Sequence, residues 1–312
     1  MKIVVLGGHG FVGKAVVHQL NQSDHEVFPL SRENGFDLLD LKYVEKHFSN
    51  IQPDVIVNCA AHVGSVHYGL KYPATIFYDN MQMLLNLFRA VSKTCPSTVL
   101  VNPISNCVYP MDADVQVENQ LWEGMPHHTA LPYASTRRMI YVISKSYFEE
   151  YNIISRNLIF PGVYGPGNHT DTERVHALDG IIIRMIRAHR SSADTFEIWG
   201  TGKPVREWCY IDDIVNLVIR TIEIEGELID PVNIGQRKGY SIRELAEMTA
   251  KALGFKGKLI FNTDYPDGAA IKVLDNKRFC EQFLDYEFTD IEDGIKKTVD
   301  YYESVLQQES SR

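Results

Sequence analysis

Ile3-Val4-Val5-Leu6-Gly7-Gly8-His9-Gly10-Phe11-Val12-Gly13 sets four apolar residues against a turn of spaced glycines. The apolar run reads as a short strand buried on both faces, and a helical pattern through Ala15, Val16, Val17 and Leu20 follows at once. Strand, tight turn and helix in that order open an alternating α/β chain. Gly7 permits the turn, Gly10 lets backbone approach a pyrophosphate, and Gly13 lets helix and strand pack closely. Phe11 and Val12 start the helix whose N-terminus faces the anion.

Outward from this unit the alternation continues. The strand Glu26 to Leu30 should end beside the adenosine ribose of a dinucleotide, where an acid would accept the 2′-hydroxyl of NAD. Ser31-Arg32 stands there instead, and a hydroxyl with a guanidinium suits the 2′-phosphate of NADP(H). Asp37-Leu38 follows, and then a strand from Pro53 runs into Ala60-Ala61, small residues that let a loop lie against the cofactor. A long periodic helix is expected from about Ala74 to Ser92, a strand from Thr98 to Asn102, a helix from Tyr133 to Tyr151, and a strand from Ser155 to Phe160 before Pro161 and Val163. The fold class is therefore α/β, a doubly wound parallel Rossmann sheet with a smaller C-terminal α/β substrate lobe. Residues 1–165, with later strands around 207–236, are expected to form the cofactor domain, and 166–312 mainly the substrate lobe.

The 312 residues carry 31 basic and 40 acidic side chains, a net charge of −9, which argues against non-specific attraction to nucleic acid or anionic membrane. Any phosphate must be bound locally. Five widely spaced cysteines without a Cys-x-x-Cys pair indicate neither a disulfide framework nor a zinc site, and no metal is expected. With no apolar run of membrane-spanning length, a reducing cytoplasm fits best.

The chemistry gathers around Leu131-Pro132-Tyr133-Ala134-Ser135-Thr136-Arg137-Arg138. Tyr133 is expected to open a helix with Arg137 one turn below it on the same face. A cation there lowers a phenol pKa of about 10 toward that of a working proton donor. Ser105 and Cys107 lie just past a strand end, where ligands bind in a parallel sheet. Trp199 suits stacking on a base, and Arg206 suits a diphosphate.

With these residues in view, the chain resembles the extended short-chain dehydrogenase/reductase (NAD-dependent epimerase/dehydratase) superfamily. Within it the likeness is to the GDP-L-fucose synthases, the GDP-4-keto-6-deoxymannose epimerase-reductases. The glycine turn and Tyr133 mark the superfamily. Ser105-x-Cys107-x-Tyr109-Pro110, His176, Trp199-Gly200-x-Gly202-x-Pro204-x-Arg206-Glu207 and Pro266-Asp267-Gly268-x-x-x-Lys272 mark the narrower family. The resemblance implies that Ser105 and Tyr133 hold the sugar ketone. It also implies that Cys107 and His176 exchange the epimerisation protons, with Arg184, Trp199, Arg206 and Lys272 around the nucleotide diphosphate. It further implies NADP(H), a GDP-sugar substrate, possession of a C4 reductase activity and a homodimer formed by the helices near 74–92 and 133–151. Arg137 replaces the family's lysine, and Pro103-Ile104 and Asn106 replace small residues beside the catalytic serine. A working but altered enzyme is expected; the rival from another class is a silent NADP(H)-binding subunit or sensor. Asn106 disfavours a dehydratase, a simple 4-epimerase has no use for Cys107 and His176, and a heptose substrate is equally compatible.

Overall fold

The computed structural model describes residues 1–171, 175–265 and 267–310; Pro266 of the Pro266-Asp267-Gly268 motif lies outside them. In chain order the first half contains β1 (Lys2–Leu6), α1 (Phe11–Leu20), β2 (Glu26–Leu30), α2 (Leu41–Ile51), β3 (Val55–Asn58), α3 (Val66–Lys71), α4 (Pro73–Thr94), β4 (Val99–Ser105) and α5 (Leu131–Tyr151). Then come β5 (Ser155–Phe160), β6 (Gly162–Tyr164), α6 (Ala177–Arg190), β7 (Thr195–Trp199), β8 (Val205–Arg206), β9 (Trp208–Tyr210), α7 (Ile211–Ile222) and β10 (Leu228–Asn233). The chain ends with β11 (Tyr240–Ser241), α8 (Ile242–Leu253), β12 (Lys258–Asn262), β13 (Ile271–Lys272), α9 (Lys277–Gln282) and α10 (Ile291–Ser310).

Successive side chains of a strand point to opposite faces, and β1 uses both. Ile3 and Val5 enter a core with Ile182, Val215 and Val218, while Val4 and Leu6 enter another with Val44, Phe48, Leu87 and Phe88. The strands lie in the order β10-β5-β4-β3-β1-β2, and all five pairings are parallel. The chain leaves β1 for β2 on one side and returns to β3 on the other. The resulting switch point opens a crevice at the carboxyl ends of β1 and β3.

Two glycines of the first turn are fixed by space. Gly7 has φ +69°, and a Cβ on it would lie 2.8 Å from the carbonyl oxygen of Cys59. A Cβ on Gly13 would overlap the carbonyl of Gly7. Gly13→Ala is therefore expected to cost about 1–3 kcal/mol of stability and to weaken dinucleotide binding, because backbone must move. Thermal unfolding checks this, and an unchanged melting temperature would contradict it.

β4 continues three residues past its expected end at Asn102. Pro103, Ile104 and Ser105 stay in register with Leu158, Ile159 and Phe160 of β5. Pairing with β3 stops at Val101, so the missing N–H of Pro103 interrupts no ladder on that side. Likewise, α5 begins at Leu131 with Pro132 in its first turn, so Tyr133 is its third residue rather than its first.

Beyond the main sheet, β7 pairs with β12, and α6, α8 and α10 pack on one another. α8 starts with the expected capping box: Glu244 N–H donates to Ser241 Oγ at 3.1 Å and Ser241 N–H donates to Glu244 Oε2 at 2.7 Å. In α6, Asp179 is fully buried and accepts hydrogen bonds from Gly165 N at 3.1 Å and Asn168 Nδ2 at 2.6 Å. Burial outweighs these donors and pushes its carboxyl up to about 7. Glu207, also buried, is pushed up to about 7. An unfolded chain releases such protons near pH 4, so between about pH 4 and 7 the folded state binds more protons than the unfolded one. Stability should therefore fall as pH rises through that window, by on the order of 1–3 kcal/mol. Denaturation midpoints at pH 5 and 7.5 test this, and Asp179→Asn should flatten the slope.

Candidate active site

Ser105 ends β4, and its Oγ accepts the Cys107 N–H at 3.4 Å, capping the short turn Asn106–Val108. Asn106 is buried, with its amide donating to Gln116 Oε1 at 3.2 Å. Arg138 clamps α5 onto this turn: Nε donates to the Val108 carbonyl at 2.6 Å and Nη2 to that of Gly124 at 2.9 Å. One of the two adjacent arginines is thus structural, and the other faces Tyr133.

The Arg137 guanidinium lies 5.3 Å from the centre of the Tyr133 ring. It is buried, and Nη2 donates to Asn80 Oδ1 at 2.9 Å. Asn80, on α4, also accepts from His62 N at 3.0 Å and donates to the His62 carbonyl at 2.8 Å. Its place was not evident from sequence. The expected lowering of the Tyr133 pKa is only half of what occurs: burial raises it, Arg137 opposes that, and the net direction is up. The phenol is held neutral, the form that donates a proton.

Cys107 and His176 depart from ordinary behaviour in opposite directions. Burial raises the Cys107 thiol, opposed by the Ser105 hydroxyl and then by the charges of Lys272 and Arg137. Burial lowers His176, the N-cap residue of α6. His176 Nδ1 lies 3.1 Å from the Val163 carbonyl, which requires a proton on Nδ1 and leaves Nε2 as the basic nitrogen. The ring sits edge-on to Phe11 of the glycine turn, at 5.7 Å.

A cavity of about 220 Å³ at the switch point gathers Gly7, Gly10, Ser31, Arg32, Asp37, Leu38, Ala60 and Ala61 from the residues expected to hold cofactor. Asp37 Oδ1 accepts Leu39 N at 3.0 Å, and the Leu38 carbonyl accepts Asn86 Nδ2 at 2.7 Å, fixing this wall. Phe11, Val12, Gly13, Tyr133, Arg137, Pro161 and Val163 lie outside this cavity's lining. His9, His62 and Asp79 line it too, although no sequence pattern singled them out. His9 Nδ1 lies 2.8 Å from Ser31 Oγ, and His62 Nδ1 lies 2.7 Å from Asp79 Oδ2. The chamber suits a dinucleotide, with the bare backbone of Gly7 and Gly10 and the Arg32 cation in its wall; outside that lining, Arg137 Nε is a buried donor without a partner among the described residues.

A second cavity, of about 320 Å³, is lined by Asn106, Trp199, Arg206, Asp267, Gly268 and Lys272 among others. Burial lowers the pKa values of Arg206, Lys272 and the neighbouring Arg184, so their charges are poorly solvated and favour an anionic partner. Arg206 Nη1 turns back to the Val205 carbonyl at 2.7 Å rather than forming a surface ion pair. Trp199 is 49% exposed, stacks on Tyr265 at 4.9 Å, and has the Arg184 guanidinium 4.9 Å from its ring centre. It is a surface platform, not core.

Sheet and crevice together define a nicotinamide-dinucleotide oxidoreductase of the extended short-chain dehydrogenase/reductase class. Residues 3–235 match the model of the NAD dependent epimerase/dehydratase family, and the chain belongs to that family. It is 30% identical to the GDP-L-colitose synthase of Yersinia pseudotuberculosis, over 97% of this chain and 98% of that one. It is 28% identical to the GDP-L-fucose synthase of Escherichia coli (strain K12), over 96% of each. A crystal structure of a GDP-L-fucose synthetase from Naegleria fowleri superposes with a TM-score of 0.89 at 25% identity, covering 98% of this chain and 94% of that one. A GDP-6-OMe-4-keto-L-xylo-heptose reductase from Campylobacter jejuni shares the fold, with a TM-score of 0.87 at 22% identity over 97% and 98%.

Proposed function

We propose that this protein is an NADPH-dependent reductase, and also a C3/C5 epimerase, of a GDP-linked 4-keto-6-deoxy sugar. The observation that carries the reading is the shared wall of the second cavity: Asn106, inside the Ser105–Cys107 turn, faces the same space as Arg206 and Lys272. A sugar ketone at that turn would leave its diphosphate among the cations. The activities for which the colitose and fucose synthases are named support a GDP-sugar, and that of the Campylobacter reductase supports a heptose variant.

Gly7, Gly10, Gly13, Ala60 and Ala61 would hold the pyrophosphate of NADP(H), Ser31 and Arg32 its 2′-phosphate, and Arg137 the nicotinamide ribose. When bound, the reduced cofactor supplies a hydride. Ser105 and Tyr133 hydrogen-bond the ketone oxygen, and Tyr133 gives the proton that neutralises the alkoxide. The ketone acidifies the neighbouring C–H bonds, so epimerisation precedes reduction. Neutral His176 removes a proton through Nε2, and the Cys107 thiol returns one to the opposite face. Lys272 and Arg137 stabilise the thiolate so formed. Solvent then resets both groups.

Incubation with NADPH and GDP-4-keto-6-deoxymannose, with product identification, tests the reading. Bound but unoxidised NADPH across a panel of 4-keto sugar nucleotides would establish the rival, a silent cofactor-binding subunit. A homodimer is supported by exposed Tyr78 and Leu85 on α4 and Val142 and Tyr151 on α5. Sedimentation checks it. Among the described residues no helix is long and apolar enough to cross a membrane.

A further inference from the structure

We infer that Trp208 is a sugar-recognition residue: with Gly162 it forms the floor of the sugar end of the second cavity, and its indole Nε1–H donates a hydrogen bond to an oxygen of the bound sugar. The inference rests on the GDP-sugar reading above and names a group that reads the sugar.

Trp208 opens β9 opposite Gly162 of β6, and both line the cavity together with Asn106 and Ala177. Asn106 follows Ser105 and Ala177 follows His176, so this end of the cavity belongs to the sugar, while Trp199 and Arg206 belong to the nucleotide diphosphate. Gly162 lies in a strand and has no left-handed torsion, so its backbone does not call for glycine. Space does: a Cβ there would lie 2.6 Å from Cε3 of the indole and 2.8 Å from Cζ3. Residue 162 goes without a side chain, and the indole takes its place in the wall. Tyr164 meets the ring edge-on at 6.4 Å, and the ring is only 7% exposed, so packing sets its position.

That packing leaves the indole nitrogen over. Nε1 is buried and has no hydrogen-bond partner among the described residues. An indole nitrogen can only donate, and a buried donor without an acceptor is destabilising until one arrives. The Cε3–Cζ3 edge that meets Gly162 is opposite Nε1 in an indole, so the free donor is turned away from the Gly162 backbone. Its polar neighbours in the wall are committed: the Asn106 amide donates to Gln116 Oε1 at 3.2 Å, and Glu207 accepts the Leu274 N–H at 2.7 Å. Trp199, the other indole of the cavity, donates to Glu197 Oε1 at 3.2 Å. The Tyr164 hydroxyl is unpartnered too, but Tyr164 does not line the cavity. A sugar supplies what Trp208 lacks: C–H groups to cover an aromatic ring, and hydroxyl or ring oxygens to accept its proton.

The test records proton–nitrogen correlation spectra of the full chain, isotope-labelled at its three indole nitrogens, for the parent and Trp208→Phe. Each is measured with GDP and with GDP-4-keto-6-deoxymannose, without reduced cofactor. The signal missing from Trp208→Phe belongs to Trp208; its proton should move downfield with the sugar nucleotide and stay in place with GDP. Phenylalanine keeps an aromatic floor and loses the donor, so kcat/KM for the sugar nucleotide should fall about tenfold while the dissociation constant of GDP is unchanged. A Trp208 signal that ignores the bound sugar nucleotide, one that moves equally with GDP, or an unchanged kcat/KM would overturn the recognition role and leave a GDP-sugar enzyme intact. No binding of the sugar nucleotide to the parent by calorimetry would instead overturn the GDP-sugar reading, and this inference with it. Should Trp208→Phe fail to fold, Trp122→Phe and Trp199→Phe identify the same signal by elimination, and its response to the sugar nucleotide decides.

Discussion

Tyr133→Phe should lower kcat for ketone reduction by about 10³-fold, with cofactor affinity little changed. Phenylalanine keeps the ring beside the Arg137 guanidinium. Only the O–H is removed, and with it the group placed to protonate the alkoxide. Ser105 remains as a hydrogen-bond donor, so a residual rate above the uncatalysed one is expected. Loss of NADPH absorbance with a 4-keto sugar nucleotide, beside fluorescence titration of NADPH binding, separates chemistry from affinity. A phenylalanine variant as fast as the parent would assign the proton to another group.

The second large effect belongs to Cys107→Ser. Solvent deuterium should enter C3 and C5 of the substrate in the parent, and the substitution should slow that entry by at least about 100-fold. A serine hydroxyl occupies nearly the same volume, but it is a far weaker acid than a thiol and gains little from Lys272 and Arg137. Reduction of a substrate already in the product configuration should continue, because Ser105 and Tyr133 are untouched. Mass spectrometry of the product reads both steps. Undiminished deuterium entry would remove Cys107 from the exchange.

What was legible in the sequence was what short spacings determine. The Gly7 to Gly13 turn, the order of strands and helices, the Ser241–Glu244 cap and the Tyr133/Arg137 stack each span a few residues, so propensity and periodicity reach them. The contacts that define the chemistry span the fold. Asn80 meets Arg137 from 57 positions away, and no local pattern marks a helical asparagine as its acceptor. The directions of the Tyr133, Cys107 and His176 pKa values were equally hidden, since burial is a property of the assembled sheet and lobe. The end of β4 is hidden in the same way, because a strand can carry Pro103 only where pairing with its neighbour has already stopped at Val101.

Arg137 has a consequence for how the rate responds to alkali. A lysine beside the phenol would lose its own charge as pH rises, and two interacting ionisations would blur into one broad decline. A guanidinium keeps its proton throughout the working range. Under the proposed mechanism, the high-pH limb of ketone reduction, measured on a substrate already in the product configuration, then belongs to Tyr133. It should fit the loss of a single proton, displaced upward by the closed environment around the ring.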